Sequence, residues 1–421
     1  MDRCGILDNI GALCALKDLR KDGTGMEIYL DNSATTKVTE GVRDKLVQAL
    51  YEDYGNPSSM HRLGVKAEQY MKEAASIIAT SLKVEPKEII FTSGGTEANN
   101  LALVGTALAN RRRGNHIITT RIEHPSVHQP LVHLEEMGFE ISFAPVDNSG
   151  RLIKEKLFEL IKEDTLMVSI MYVNNEIGAV QEITELAKEL KNRKKDLILH
   201  VDAVQAFGKY RIYPKREGID LLSFSGHKIH GPKGIGALYV NEKIKINPVV
   251  FGGGHQKGLR SGTENVPGIA GLGQAVAELY LDFDAKIERM YRLKQKFLRE
   301  ISQLEDTTIN GIPAGCAPDY SMEQLKKTAP HVMSVSFRGV RSEVFLHSLE
   351  DKGIYVSSGS ACSSHHPTPS VTLTAIGLAK ELMDSTLRFS MSSMTTEEEI
   401  DYTIEQIKEL LPVLRKYTRK K

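Results

Sequence analysis

Between residues 88 and 240, short apolar runs alternate with helical stretches, and this alternation limits the chain's possible folds more than any other feature. The runs fall at residues 88–92, 116–120, 141–146, 166–173, 197–201, 220–224 and 236–240. Helical periodicity lies between several of them, with Ile183, Leu186 and Leu190 on one face. Strand and helix in regular turn imply an α/β fold whose mostly parallel sheet is covered on both faces.

Open sheets of this kind collect their chemistry at strand ends. The run 220–224 empties into Ser225-Gly226-His227-Lys228, with Gly231, Gly234 and Gly236 close behind. The run 197–201 ends in Asp202, and Gln205 follows three residues later. Taken singly, a lysine after a strand is most often a solvated charge, and an aspartate there most often caps a turn. Together, an amine on one strand end and a carboxylate on another are what pyridoxal phosphate requires. The amine forms the Schiff base, and the carboxylate keeps the pyridine nitrogen protonated. Ser225 and His227 add side chains that suit a phosphate.

Ser93-Gly94-Gly95-Thr96 joins the run 88–92 to a helical stretch in which Leu101, Val104 and Leu108 share a face. Free amides and the helix dipole at such a junction favour an anion, with Gly95 and Thr96 as the expected contacts, although paired glycines also make ordinary turns. His124 follows the run 116–120 and can stack on an aromatic ring and move protons; a lone histidine is more often structural. In Asn174-Asn175-Glu176 one amide can hold a phenolic oxygen or a substrate carboxylate.

From about residue 285 a long amphipathic helix (Ile287, Met290, Phe297, Ile301) leads away to shorter segments at 333–337, 343–350, 354–356 and 387–390. This reads as a smaller α+β domain. The expected organisation is a large domain at 36–285, a small one formed by 26–35 with 286–421, and an appendage at 1–25. That appendage, broken by Asp8, Lys17 and Asp18, is no convincing signal peptide and is expected to be disordered or foreign to the fold. Thr395 or Thr396 with Glu398 or Glu399 forms a capping box for the last helix.

Two residues in this second half bear on chemistry. Arg388, a cation inside an apolar run, suits a carboxylate clamp. Cys362 sits in a serine-rich stretch, Ser357 to Ser364, without apolar neighbours, which suits an exposed nucleophile. Cys316 is also in a loop-like setting, so exposure alone does not choose between them. Lys and Arg total 54, as do Asp and Glu, so charge points to no nucleic-acid or membrane partner. The four cysteines show neither metal-ligand nor disulfide spacing, and a reducing, cytoplasmic setting with no metal is expected.

The ordered set Asp31-Asn32-Ser33-Ala34-Thr35-Thr36, Thr92-Ser93-Gly94-Gly95-Thr96-Glu97, Glu123-His124, Val173-Asn174-Asn175-Glu176-Ile177-Gly178 and Ser223-Phe224-Ser225-Gly226-His227-Lys228 resembles the cysteine desulfurases. Arg260-Ser261-Gly262-Thr263 and Ser357-Ser358-Gly359-Ser360-Ala361-Cys362 resemble their NifS/IscS-type branch among class V aminotransferases. The resemblance implies the fold type I of pyridoxal-phosphate transferases, aspartate-aminotransferase-like, working as a homodimer. It gives Lys228 the Schiff base, Asp202 the pyridinium, and His124 ring stacking with acid/base duty. Gln205 and Asn175 would meet the phenolic oxygen. Gly95, Thr96, Ser225, His227 and, from the other subunit, Thr263 would surround the phosphate. Arg388 with Asn175 would bind the carboxylate of L-cysteine, and Cys362 would take the sulfur as a persulfide for an acceptor serving iron–sulfur assembly or tRNA thiolation. Alternatives that need no thiol are selenocysteine lyase or another lyase or aminotransferase on this fold; a catalytically silent cofactor-binding scaffold is a third.

Overall fold

The computed structural model describes residues 27–316, 319–358 and 370–418. Strand β1 (Ile28–Tyr29) opens the chain, and the main sheet follows as β2 (Ile89–Thr92), β3 (His116–Thr120), β4 (Glu140–Ala144), β5 (Thr165–Met171), β6 (Ile198–Asp202), β7 (Leu221–Ser225) and β8 (Gly236–Val240). Their order across this seven-stranded sheet is β2-β8-β7-β6-β5-β3-β4. β8 is antiparallel to both β2 and β7, and the other pairings are parallel. Two reversals cancel, so β2 points the same way as β7. The carboxyl ends of β2, β3, β5, β6 and β7 therefore open on one edge, where the chemistry of such sheets gathers.

The strands form because both faces are covered. All seven residues of β5 are buried, as a strand between two helical layers requires. Along β8 the side chains alternate: Ala237 and Tyr239 enter a core with Phe207 and Phe224, whereas Leu238 and Val240 enter another with Leu101 and Leu131. One polar rung crosses the sheet, where the His200 ring bridges the hydroxyls of Ser169 (2.8 Å) and Ser223 (3.0 Å). Burial pushes its pKa down to about 3, so this histidine is a neutral structural member. The helix Ile183–Arg193 buries Ile183, Leu186, Ala187 and Leu190, as its spacing predicts.

Two local expectations change. The segment 31–36, which its polar residues predict to be a turn opening a helix, is followed by extended chain; the first helix starts at Glu40, with the Thr39 side chain accepting from Val42 N. The stretch after Gly95 is helical to Asn110, but Leu101–Gly105 is a π-helical turn. That insertion rotates the buried face, so Leu101 is buried while Val104 and Leu108 are only half-buried.

A second core surrounds β9 (Thr307–Asn310), β10 (Val332–Phe337), β11 (Ile354–Tyr355), β12 (Ser357–Ser358) and β13 (Thr386–Ser390). Four of these form an antiparallel sheet in the order β12-β13-β10-β9. The helices Phe283–Ile301 and Glu397–Thr418 contribute Phe297, Leu298, Ile400 and Ile407 to it. Of the possible capping pairs before the last helix, Thr396 and Glu399 exchange both bonds, at 2.9 and 3.2 Å. Ile28 and Leu30 join this core, because β1 pairs in parallel with β11. Cys316 lies in a loop, as its glycine and proline neighbours suggest, but the loop turns the thiol inward. The residue is 2% exposed, turned into the same core by the bonds Cys316 N to Pro313 O and Tyr320 N to Cys316 O. Burial raises its pKa, which leaves it a poor nucleophile. Among the described residues no helix is long and apolar enough to cross a membrane.

Phe389 on β13 is wholly buried, with Phe297 at 5.0 Å and Phe337 at 6.4 Å between ring centroids. Phe389→Ala is expected to lose about 3–5 kcal/mol of stability, measured by urea unfolding.

Candidate active site

One short segment, residues 31–36, threads through the site and touches most of the groups the sequence singles out. Lys228 Nζ donates to Ser33 O (2.5 Å) and Ala34 O (2.7 Å). Gln205 Nε2 donates to the same Ser33 oxygen at 2.9 Å. His227 Nδ1 lies 3.3 Å from Thr35 Oγ1, and Arg388 Nη2 donates to Asp31 Oδ1 at 2.7 Å. Lys228 closes a short 3-10 turn, Gly226–Lys228, at the end of β7. Its backbone is thereby fixed while its side chain crosses to the segment.

Asp202 ends β6, 4% exposed. Val204 N donates to Oδ1 (2.9 Å), and Asn99 Nδ2 donates to Oδ2 (2.8 Å). Burial raises the carboxyl's pKa, and these two donors with His124 and Lys228 pull it back. Gln205 is held from behind by His331, whose Nε2 lies 3.1 Å from Gln205 Oε1. His331 is fully enclosed, and burial beside Lys209, Lys294 and Arg388 keeps its pKa well below the ordinary value. A neutral His331 donating to Gln205 turns the amide nitrogen of Gln205 toward Ser33.

His124 caps the helix Pro125–Glu136, its Nδ1 accepting from Ser126 N (3.1 Å). The ring is accessible at the rim, yet enough water is displaced around it that its pKa falls. Behind it Glu123 is buried, with Oε1 accepting from Thr120 Oγ1 (2.7 Å) and Met171 N (3.0 Å) and Oε2 without a partner. Burial pushes its pKa up to about 8. On the other side, Gly95 starts its helix against Val204 and Ser225; a Cβ there would meet Val204 Cγ2 at 2.7 Å. Thr96 is exposed at the same helix start, Ser225 is buried beside Gly94, and burial with Lys228 and Lys233 lowers His227 to about 4. Thr96, Asn100, His124, Ser126, Gln129 and His133 are among the residues lining a cavity of about 420 Å³. A larger cavity, about 950 Å³, shares Asn32, Thr35 and Thr36 with the site, but Lys228, Asp202, His124 and Arg388 do not line it. Chemistry rather than size marks the site.

Arg388 projects from β13, 7% exposed. Nη1 donates to the Asn175 carbonyl (3.0 Å), Nη2 meets Asp31, and Nε is buried with no partner among the described residues. Asn175 thus meets Arg388 through its backbone. Its neighbour Asn174 is wholly buried and structural, donating to Ile122 O and accepting from Glu176 N and Ile177 N. Cys362 lies outside the described residues. The described chain on either side of it is anchored close to Arg388: Ser357 pairs with Arg388 across β12 and β13, and Ser370 Oγ donates to Glu176 Oε2 at 2.5 Å. Thr263 is exposed, just beyond Arg260, whose guanidinium pairs with Glu97 at 2.8 Å. Asn99, Ser126, Glu123, Asp31 and His331 are site residues that sequence reasoning missed. Only Glu123 and Asp31 stood within motifs already quoted.

The chain matches the aminotransferase class-V family model over residues 28–403. It is 40% identical to cysteine desulfurase IscS of Dictyoglomus turgidum over 92% of this chain and 95% of that protein. To cysteine desulfurase IscS of Methanosarcina thermophila it is 39% identical over 92% of this chain and 93% of that one. A solved NifS-like protein superposes with a TM-score of 0.84 at 36% identity, covering 92% of this chain and all (100%) of that one. A structure of SspA in complex with cysteine gives a TM-score of 0.74 at 33% identity over 88% and 100% of the two chains.

A carboxyl group whose folded pKa is about 8 holds a proton that the unfolded chain releases above about 4.5. Its contribution to stability is full at low pH and is lost as pH rises from about 4.5 to about 8. Glu123→Gln, which keeps the shape of the protonated acid, is expected to flatten this part of the stability profile and to gain most at pH 8. Urea unfolding at pH 5 and pH 8 measures the difference.

Proposed function

The chain belongs to the class-V aminotransferases and is a cysteine desulfurase of the IscS type, and from that premise we propose that it moves the sulfur of L-cysteine onto Cys362 and then to an acceptor protein. The observation that carries this reading is the convergence of Lys228, Gln205, His227 and Arg388 on the one segment 31–36, with Asp202 beside Gln205.

The residues fit pyridoxal phosphate. The Asp202 carboxylate sits in a hole that raises its pKa, with one donor on each oxygen and lone pairs to spare, which a cationic ring N–H would satisfy. The glycine turn leaves no room for a Cβ at Gly95 and faces Ser225, as a close-fitting phosphate requires. When bound, the group supplies an electron sink for the pair left as the substrate's Cα proton departs. Lys228 would hold it, with Asp202, Gln205, Asn175, Gly95, Thr96, Ser225 and His227 around it; Thr263 of a second copy completes the phosphate contacts in this reading.

The chain's own groups then do the following. Arg388, already turned by Asp31 and the Asn175 carbonyl, offers its unpaired Nε–H and neighbouring donors to the substrate carboxylate. His124, accessible at the rim of the cavity, would lie against the group and hold or move a proton. The Cys362 thiolate attacks the substrate sulfur: an S–S bond forms, the C–S bond breaks, its electron pair stays on Cβ, and one proton on Cβ and one returned to Cα complete L-alanine. The anchoring of Ser357 and Ser370 beside Arg388 and Glu176 supports a thiol delivered to this side of the site. The acceptor is an iron–sulfur scaffold or a tRNA-thiolating enzyme, and the setting is cytoplasmic.

Cys362→Ala is expected to lower alanine and sulfide release from L-cysteine by about a hundredfold or more, as loss of a covalent nucleophile does. Turnover equal to wild type would remove Cys362 from the reaction. A second copy of the chain is the natural cover for the exposed apolar stretch Val47, Leu50, Tyr51, Tyr54, Met60, Leu63 and Val65, in which Tyr51 is 82% and Met60 is 99% exposed. Sedimentation at micromolar concentration should give twice the chain mass, and Tyr51→Glu with Met60→Glu should give the single chain.

A further inference from the structure

Two side chains outside the expected set connect Asp202 to His124. Asn99 is wholly buried, and its amide nitrogen donates both hydrogens, one to Asp202 Oδ2 at 2.8 Å and one to Ser126 Oγ at 2.9 Å. Ser126 Oγ in turn lies 2.8 Å from His124 Nδ1, and Ser126 N donates to that same nitrogen at 3.1 Å. We propose that Ser126, oriented by Asn99, is a positioning residue that holds neutral His124 in the tautomer with its proton on Nε2. The inference deepens the proposed function, since it rests on His124 moving protons in the desulfurase site.

The direction of each bond follows from what each group can do. An ionised carboxylate only accepts, so Asn99 turns its nitrogen to Asp202. The second hydrogen of that nitrogen fills the acceptor side of the Ser126 hydroxyl. The hydroxyl hydrogen then goes to His124 Nδ1. An amide can be read either way round, but a backbone N–H cannot. Ser126 N belongs to the first turn of the helix Pro125–Glu136 and points at Nδ1 as well, so that nitrogen meets two donors and carries no proton of its own. The positive end of the helix dipole opposes a second proton on the ring, in the same direction as burial.

The consequence for the reaction is directional. A ring held this way presents an N–H at Nε2, so it begins as a hydrogen-bond donor to an oxygen or sulfur. It accepts a proton at Nε2 only after it has given up the one it carries there and Nδ1 has gained one, with the Ser126 hydroxyl turned to accept from Nδ1–H. Ser126 and Asn99 therefore set which proton transfer is available first, without touching substrate themselves.

The test is ¹⁵N–¹H NMR of the histidine rings in the cofactor-loaded enzyme without substrate, with His124 assigned by its disappearance in His124→Gln. Wild type is expected to show a protonated Nε2 and an unprotonated, hydrogen-bonded Nδ1 on His124. Ser126→Ala keeps only the backbone donor, and should give a mixture of tautomers with kcat lower by roughly three- to tenfold and KM unmoved, the effect of one lost hydrogen bond. Ser126→Thr should restore the wild-type ring signals. Asn99→Asp, which replaces the donor by an acceptor, should draw the hydroxyl proton away and shift His124 toward the Nδ1–H form. A wild-type His124 protonated on Nδ1, or ring signals identical in wild type and Ser126→Ala, overturns the proposal. Full desulfurase activity in His124→Gln would instead overturn the role of His124 in the proposed function and leave the tautomer result standing.

Discussion

Lys228 reaches across the site to two carbonyl oxygens, those of Ser33 and Ala34, and the rest of the arrangement is built around that contact. Carbonyl oxygens accept from a lysine and give its amine a direction. The Ser33 oxygen also takes the Gln205 amide, and Asp31, two residues before, takes Arg388. The spacing between the amine that would hold the cofactor and the arginine that would hold a carboxylate is thus set by a tight turn, in which Ala34 N donates to Asp31 O at 3.0 Å. Little of that spacing depends on the helices around it.

Electrostatics in the site follow one rule: burial favours the uncharged form wherever no partner compensates. His227, His331 and His124 all have lowered pKa values, and Glu123 and Asp202 have raised ones. Donors or acceptors of the right kind counter that tendency. Asp202 receives Val204 N and Asn99, whereas Glu123 leaves one oxygen bare. Two carboxyl groups close together in the fold therefore differ in where their donors sit and in which charges lie near them, His124 and Lys228 beside Asp202 and Asp202 itself beside Glu123.

The strand and helix alternation was legible because a sheet covered on both faces writes itself into sequence as unbroken apolar runs, and β8 was bounded to the residue. Lys228 and Asp202 were legible because a charged residue at the end of such a run is conspicuous. Asn99 and Ser126 were not. Each is a small polar residue within a helix; Asn99 matters because the end of β6 lies against it, and Ser126 because Asn99 does. His331 was missed for the same reason, since its partner Gln205 is 126 residues away. Cys316 could be judged only once packing was known, because glycine and proline around a thiol say loop without saying which way the loop turns.

Strand β1 and the bridge from Asp31 to Ser390 join the two extremities of the folded chain. A ribosome that has finished the seven-stranded sheet has therefore made Lys228, Asp202 and His124 but not the strands that hold residues 28–31 in place. The segment gains its last fixed neighbours only when β11 and β13 have emerged, and contacts so distant along the chain form late. Any group that Lys228 is to hold would accordingly be taken up after release, and a polypeptide cut short before β13 would carry Lys228 without Arg388 and the strand that complete its surroundings.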